Sequence, residues 1–152
     1  LSSYRQILCA VDFSDHARAA FQAAADLCRR SGARLTLLHV VTPGAPYLPG
    51  ESLRELRRLT DHGLAERLRA ALGRTYLEPH DGLEAEVALR RGHPSVEILA
   101  HLAEHPADLV VLGSQGMSGM GLVLLGSVAE RVSRRAPCDC LVVKFDRAAE
   151  PG

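Results

Sequence analysis

The segment DLVVLGSQGMSGMGLVLLGSVAE, residues 108–130, passes from an apolar run through five glycines in fourteen positions (113–126) to a helix-like end. Residues 108–112 (DLVVL) are apolar without polar alternation after the first, as expected of a strand buried on both faces of a parallel sheet. Ser127 and Glu130 form an S-x-x-E pair of the kind that opens a helix, which the sequence places at 127–135. Strand, glycine loop and helix in that order put the glycines beyond the carboxyl end of a strand. Open α/β sheets bind their ligands in that position.

The same alternation runs outward in both directions. Residues 6–11 (QILCAV) and 34–41 (RLTLLHVV) are apolar strand-like runs, 83–90 (LEAEVALR) alternates, and 139–145 (DCLVVKF) forms a last strand. Ser14 caps a first helix that carries Asp15 in its first turn and stops at Ser31-Gly32. The loop TPGAPYLPGE (42–51) precedes one long helix opened by Ser52 and Glu55, with Leu53, Leu56, Leu64, Leu68 and Leu72 near helical spacing and Gly63 as a weak point. Pro94 stands at the first position of a helix that ends before Pro106. Five strands alternating with four helices predict a single α/β domain with a mainly parallel sheet covered on both faces.

Composition narrows the function classes. The 152 residues are 47% apolar and 24% charged, with 18 basic and 18 acidic side chains, so no global field draws in nucleic acid or anionic membrane. No apolar run reaches the roughly 18 residues of a membrane span, and nothing at the start resembles a signal peptide. Cys9, Cys28, Cys138 and Cys140 form no CxxC, and reduced thiols in a cytoplasm are the simplest expectation.

The glycine loop admits two readings. The start of a helix leaves unpaired N–H groups and a positive dipole end, suited to phosphate, and glycines allow close backbone approach. Gly126, Ser127 and Val128 then offer amides to an anion, with the Ser127 hydroxyl beside them. Alternatively, Ser127 and Glu130 are only a capping box and the glycines ordinary loop chemistry. Asp12, after the first strand, has a matching local reading as a loop carboxylate bonded to nearby amides. The P-loop pattern GxxxxGK[ST] is absent, and Leu124 stands where a GxGxxG would need its last glycine.

Gly113-x2-Gly116-x9-Gly126-Ser127, flanked by ADLVVLGS and GSVAERV and accompanied by ILCAVDFS and LVVK near the two ends, resembles the nucleotide-binding universal stress proteins over nearly the whole chain. The resemblance implies one domain over residues 1–146 with a tail at 147–152, and an open five-stranded parallel sheet of order 3-2-1-4-5. It implies an ATP site in which adenine lies near the Val40 backbone and Asp12 stands near adenine and ribose. Gly113 and Gln115 would be in contact, and Gly116, Gly126, Ser127 and Val128 would hold the phosphates. It also implies a homodimer through the fifth strand, whose Leu141-Val142-Val143 edge is an association liability when uncovered.

One departure from the family pattern bears on chemistry: residues 117–125 contain no Lys or Arg. The phosphate charge then falls to amides, the helix dipole and a divalent cation, Mg²⁺ or Mn²⁺. Hydrolysis needs charge stabilisation at the γ-phosphate and a positioned water, and neither is evident. The expected function is a dimeric, ATP-binding stress-response regulator in the cytoplasm with little or no turnover. A slow metal-dependent ATPase and a dimeric scaffold with a non-binding pocket are the alternatives.

Other patterns carry less. His101 and His105 share a helix face but lack further ligands, and are expected to be surface histidines. Cys138 and Cys140 do not complete a zinc site. The Arg-rich helix face (Arg54, Arg57, Arg58, Arg67, Arg69) also holds Glu55, Asp61 and Glu66, so it is read as solvated.

Overall fold

The computed structural model describes residues 3–117 and 125–145; Gly119, Gly121 and the tail at 147–152 lie outside them. Five strands, β1 (Gln6–Ala10), β2 (Arg34–Val41), β3 (Ala85–Arg91), β4 (Leu109–Gly113) and β5 (Asp139–Val143), form one sheet of order β3-β2-β1-β4-β5. Every pairing is parallel. The helices are α1 (Asp15–Ser31), α2 (Leu53–Arg57), α3 (Asp61–Leu72), α4 (Pro94–Glu104) and α5 (Ser127–Arg135).

The doubly apolar strands explain the layers. Ile7 and Cys9 of β1 and Leu109 and Val111 of β4 join one core with α1 and α3. Their neighbours Leu8, Ala10, Val110 and Leu112 join the second core with α4 and α5. Because successive side chains point to opposite faces, only strands apolar at both parities can feed two cores. Helix α1 follows its sequence signals: Ser14 Oγ accepts from Ala17 N–H at 3.1 Å, and Gly32, at φ 73°, ends it with N–H donated to Cys28 O. Among the described residues no helix is long and apolar enough to cross a membrane.

Three expectations need correction. The single long helix after Ser52 is two helices. Arg58 and Leu59 N–H turn to the carbonyls three residues back, Glu55 O and Leu56 O. Thr60 then caps α3, its Oγ1 accepting from Gly63 N–H at 3.0 Å. Two capping residues compete along this stretch and both are used; Leu53 is consequently exposed while Leu56, Leu68 and Leu72 are buried. Gly63 falls in the first turn of α3, where its cost is small.

The second correction is at α5. Gly126, with extended backbone (φ −71°, ψ 163°), is the N-cap, and its carbonyl accepts Glu130 N–H at 2.9 Å. Ser127 is therefore the first helical residue and not the cap, so the S-x-x-E pair is not a capping box. Third, His101 is buried, at 8% exposure, because α4 turns this face onto the sheet; its ring lies against that of His105, 4.7 Å between centroids. Among the described residues no group of three or more His, Cys, Asp or Glu side chains is placed to hold a metal.

Candidate functional site

Strands β1 and β4 are neighbours, and the chain leaves them in opposite directions across the sheet. Their carboxyl ends open into a cavity of about 510 Å³. All eight residues singled out in the sequence line it. Asp12 and Val40 come from the ends of β1 and β2, Gly113, Gln115 and Gly116 from the end of β4 and its loop, and Gly126, Ser127 and Val128 from the start of α5. Ala10, Ile98 and Leu112 add apolar wall, and Tyr47 stands at the rim, 42% exposed.

The three motif glycines stand where a side chain would crowd its neighbours, most severely at Gly113. None has a positive φ. A Cβ on Gly113 would lie 2.7–2.9 Å from Cβ, C and O of His16, in the backbone of α1. A Cβ on Gly116 would lie 2.7 Å from Asp12 Oδ2, and one on Gly126 3.1 Å from the Ser114 carbonyl oxygen. Thus Gly113 lets α1 close on β4, Gly116 admits the Asp12 carboxylate, and Gly126 lets the start of α5 return to the β4 end.

That last approach includes a hydrogen bond from Gly126 N–H to Ser114 O at 2.6 Å. The Gly126 amide is therefore committed within the protein. The amides of Ser127, Val128 and Ala129, which have no partner inside the helix by its geometry, stand at the cavity wall. Ser114 is itself fixed: its N–H donates to Val143 O at 2.8 Å. Its hydroxyl lies 3.2 Å from His16 Nδ1, which also accepts from Phe145 N–H.

The local reading of Asp12 holds, and its second carboxylate oxygen is turned to the glycine loop. Oδ1 accepts Ser14 N–H at 3.0 Å, a local turn bond, while Oδ2 lies close beside Gly116 in the cavity wall. Among the described residues no Lys or Arg lines the cavity, and none occurs in the loop sequence between Met117 and Leu125. The one basic side chain among the described residues of the wall, His39, is buried. Burial pushes its pKa below the ordinary histidine value, against the opposing pull of its bond to Val11 and of the Asp12 charge. Its Nδ1–H donates to Val11 O at 2.9 Å, which leaves Nε2 as the lone-pair nitrogen.

Sequence reasoning passed over His39, Tyr76 and His16. A histidine inside the apolar run RLTLLHVV was a visible signal, because a buried polar side chain needs a partner. Tyr76 and His16 belong to no local pattern. Burial raises the thiol pKa of Cys138 and takes that of Cys140 to about 11, so both stay protonated at neutral pH.

Fold and cavity define the class: an open parallel α/β sheet with a cleft at a topological switch point, a glycine-spaced loop and a helix N-terminus at one end. A model of the universal stress protein family matches residues 3–144. Universal stress protein YxiE of Bacillus subtilis (strain 168) is 33% identical over 150 residues, covering 93% of this chain and 99% of that protein. A universal stress protein of Thermus aquaticus is 36% identical over 144 residues, with 93% and 99% covered. Among solved structures, universal stress protein UspA from Lactobacillus plantarum matches with a TM-score of 0.75 and 32% identity, covering 94% of this chain and 99% of that one. A universal stress protein solved in complex with cAMP matches with a TM-score of 0.64 and 27% identity, over 94% and 98%. The chain belongs to the universal stress protein family.

Proposed function

We propose that the chain is an ATP-binding universal stress protein that acts as a regulatory dimer with little or no hydrolysis. The observation that carries this is the convergence of Asp12, Val40, the spaced glycines and the α5 amides on one cavity of adenine-nucleotide size. Adenine would lie over the apolar wall against the Val40 backbone, with Asp12 and Gln115 toward the ribose. The phosphates would meet the Ser127 and Val128 amides and the positive end of α5. The family neighbour solved with cAMP supports an adenine ligand.

Among the described residues the cavity wall carries the Asp12 carboxylate and no Lys or Arg, so a polyphosphate meets little positive charge there. A Mg²⁺ or Mn²⁺ ion suits this donor set when it is held by the phosphates themselves, since Mg²⁺ takes one or two carboxylates and otherwise keeps phosphate and water ligands. Calorimetry is expected to show ATP binding that weakens at least about tenfold when EDTA removes the metal, a difference of about 1.4 kcal/mol. Equal affinity with and without metal would contradict this assignment. Identifying the nucleotide released when the freshly purified protein is denatured tests the ligand directly; an empty cavity that also ignores added ATP favours the scaffold reading.

Dimerisation is assigned to β5. It is an edge strand, and Leu141 is 37% exposed on it. Pairing of two such edges about a twofold axis covers the unpaired backbone of each. Leu141→Arg is expected to convert a dimer to a monomer at micromolar concentration in sedimentation experiments. A wild-type monomer, or a dimer indifferent to the substitution, would count against the β5 interface.

A further inference from the structure

Asp12 is followed by Phe13, which has φ 69° and is, among the described residues, the one non-glycine residue with positive φ. The left-handed conformation is unfavourable for a bulky side chain, and it persists where surrounding contacts over-determine it. Such contacts surround residue 13. Val11 is tied to β2 on both sides, its N–H donated to Leu38 O and its carbonyl accepting from His39 Nδ1. The Phe13 ring packs against His39 and Tyr76 at 5.2 and 5.9 Å between centroids. The buried Phe13 N–H donates to Tyr76 Oη at 2.9 Å.

Tyr76 comes from the π-helical turn Gly73–Leu77 that follows α3, and it is 1% exposed. Its ring also rests on Phe21 of α1, 5.3 Å between centroids, so both its position and its hydroxyl are fixed. The conformation of Phe13 in turn sets where Ser14 N–H points. Ser14 N–H holds Asp12 Oδ1, and Oδ2 then faces Gly116.

We propose that Tyr76 is a positioning residue for the ligand cavity: its hydroxyl holds Phe13 in the left-handed conformation that turns the Asp12 carboxylate toward Gly116. This rests on the reading of the cavity as an adenine-nucleotide site. Tyr76 touches no ligand in this assignment and acts only through the Phe13 backbone.

Tyr76→Phe keeps the ring and removes the hydroxyl that accepts from Phe13 N–H. In the ligand-free protein the Ser14 amide is expected to lose protection in hydrogen exchange by about tenfold relative to Val111 in β4, the order expected for leaving one buried donor unpaired. Affinity for Mg²⁺-ATP, measured by calorimetry, is expected to fall by about the same factor. Phe13→Gly adopts the same φ without penalty, so in that background Tyr76→Phe should no longer change affinity.

The proposal is overturned if Tyr76→Phe lowers the melting temperature yet leaves Ser14 exchange and ATP affinity as in wild type. It is also overturned if the loss is the same with glycine at position 13. Should the wild-type protein not bind ATP, the nucleotide reading fails, while Ser14 exchange alone still decides whether Tyr76 holds the loop. The same exchange measurement decides if Phe13→Gly, which deletes a buried ring, does not fold.

Discussion

Gly113→Ala lowers the melting temperature by roughly 6–12 °C, the shift expected for about 3 kcal/mol in a chain of this size. The added methyl would sit 2.7 Å from His16 Cβ, 2.8 Å from His16 C and 2.9 Å from His16 O. Two of these are backbone atoms of α1, so relief requires moving the helix or the end of β4. Neither moves easily. Helix α1 buries Ala17, Ala20, Phe21, Ala24 and Ala25 in the first core, and its small residues show how closely it lies on the sheet. The end of β4 is tied to β5 by the Ser114–Val143 bond. Overpacking a tight contact typically costs about 1–3 kcal/mol, and a clash with backbone belongs at the upper end of that range. Gly73→Ala is the matching control. A Cβ there meets nothing within 4 Å, and its φ of −59° is helical, so the substitution should be neutral or slightly stabilising. Thermal unfolding followed by circular dichroism decides the matter, and a Gly113→Ala midpoint within about 2 °C of wild type would refute the packing role.

That role was not legible in the sequence, although the residue was. The spacing of Gly113, Gly116 and Gly126 marked the loop and placed it beyond β4, and all eight candidate residues line one cavity. What each glycine touches depends on parts of the chain far away, His16 for one and Asp12 for another, which no local pattern encodes. The same division runs through the fold. Residues 34–41 read as a strand with the bounds the structure shows, and α1 ends at Ser31-Gly32 as read, because apolar continuity and a terminal glycine are local signals. The break between α2 and α3 was missed because Ser52 and Thr60 are both good caps, and leucine spacing alone continues through the gap. Ser127 was misplaced by one position for a related reason: S-x-x-E is a strong local cue, but Gly126 already supplies the extended residue that opens α5. The burial of His101 depends on how α4 is rotated on the sheet. Tyr76 reaches Phe13 from 63 residues away, and a π-helical turn has no dependable sequence signature.

Gly116→Ala should do the opposite of Gly113→Ala, sparing the fold and removing the ligand. Its Cβ would come within 2.7 Å of Asp12 Oδ2, the free end of a side chain, with Asp12 Cγ at 3.9 Å. The carboxylate can rotate away, so the expected change in melting temperature is small, roughly 2 °C or less. Rotation nevertheless strains the Oδ1 bond from Ser14 N–H and takes Oδ2 off the path between β1 and the glycine loop. With no Lys or Arg among the described residues of the wall, a correctly placed carboxylate matters more than usual, because few other charged groups orient the ligand. Losing one charge-assisted hydrogen bond costs about 1.5–3 kcal/mol, which corresponds to an affinity for Mg²⁺-ATP weakened roughly 10- to 100-fold. Asp12→Asn keeps the shape and removes the charge, so it should reproduce part of this loss while leaving the loop geometry in place. Calorimetry beside thermal unfolding separates the outcomes. A Gly116→Ala protein that binds ATP as wild type would show that the Asp12 carboxylate is a local turn group and not part of the site. One that unfolds early would show that Gly116, like Gly113, serves the packing of the fold.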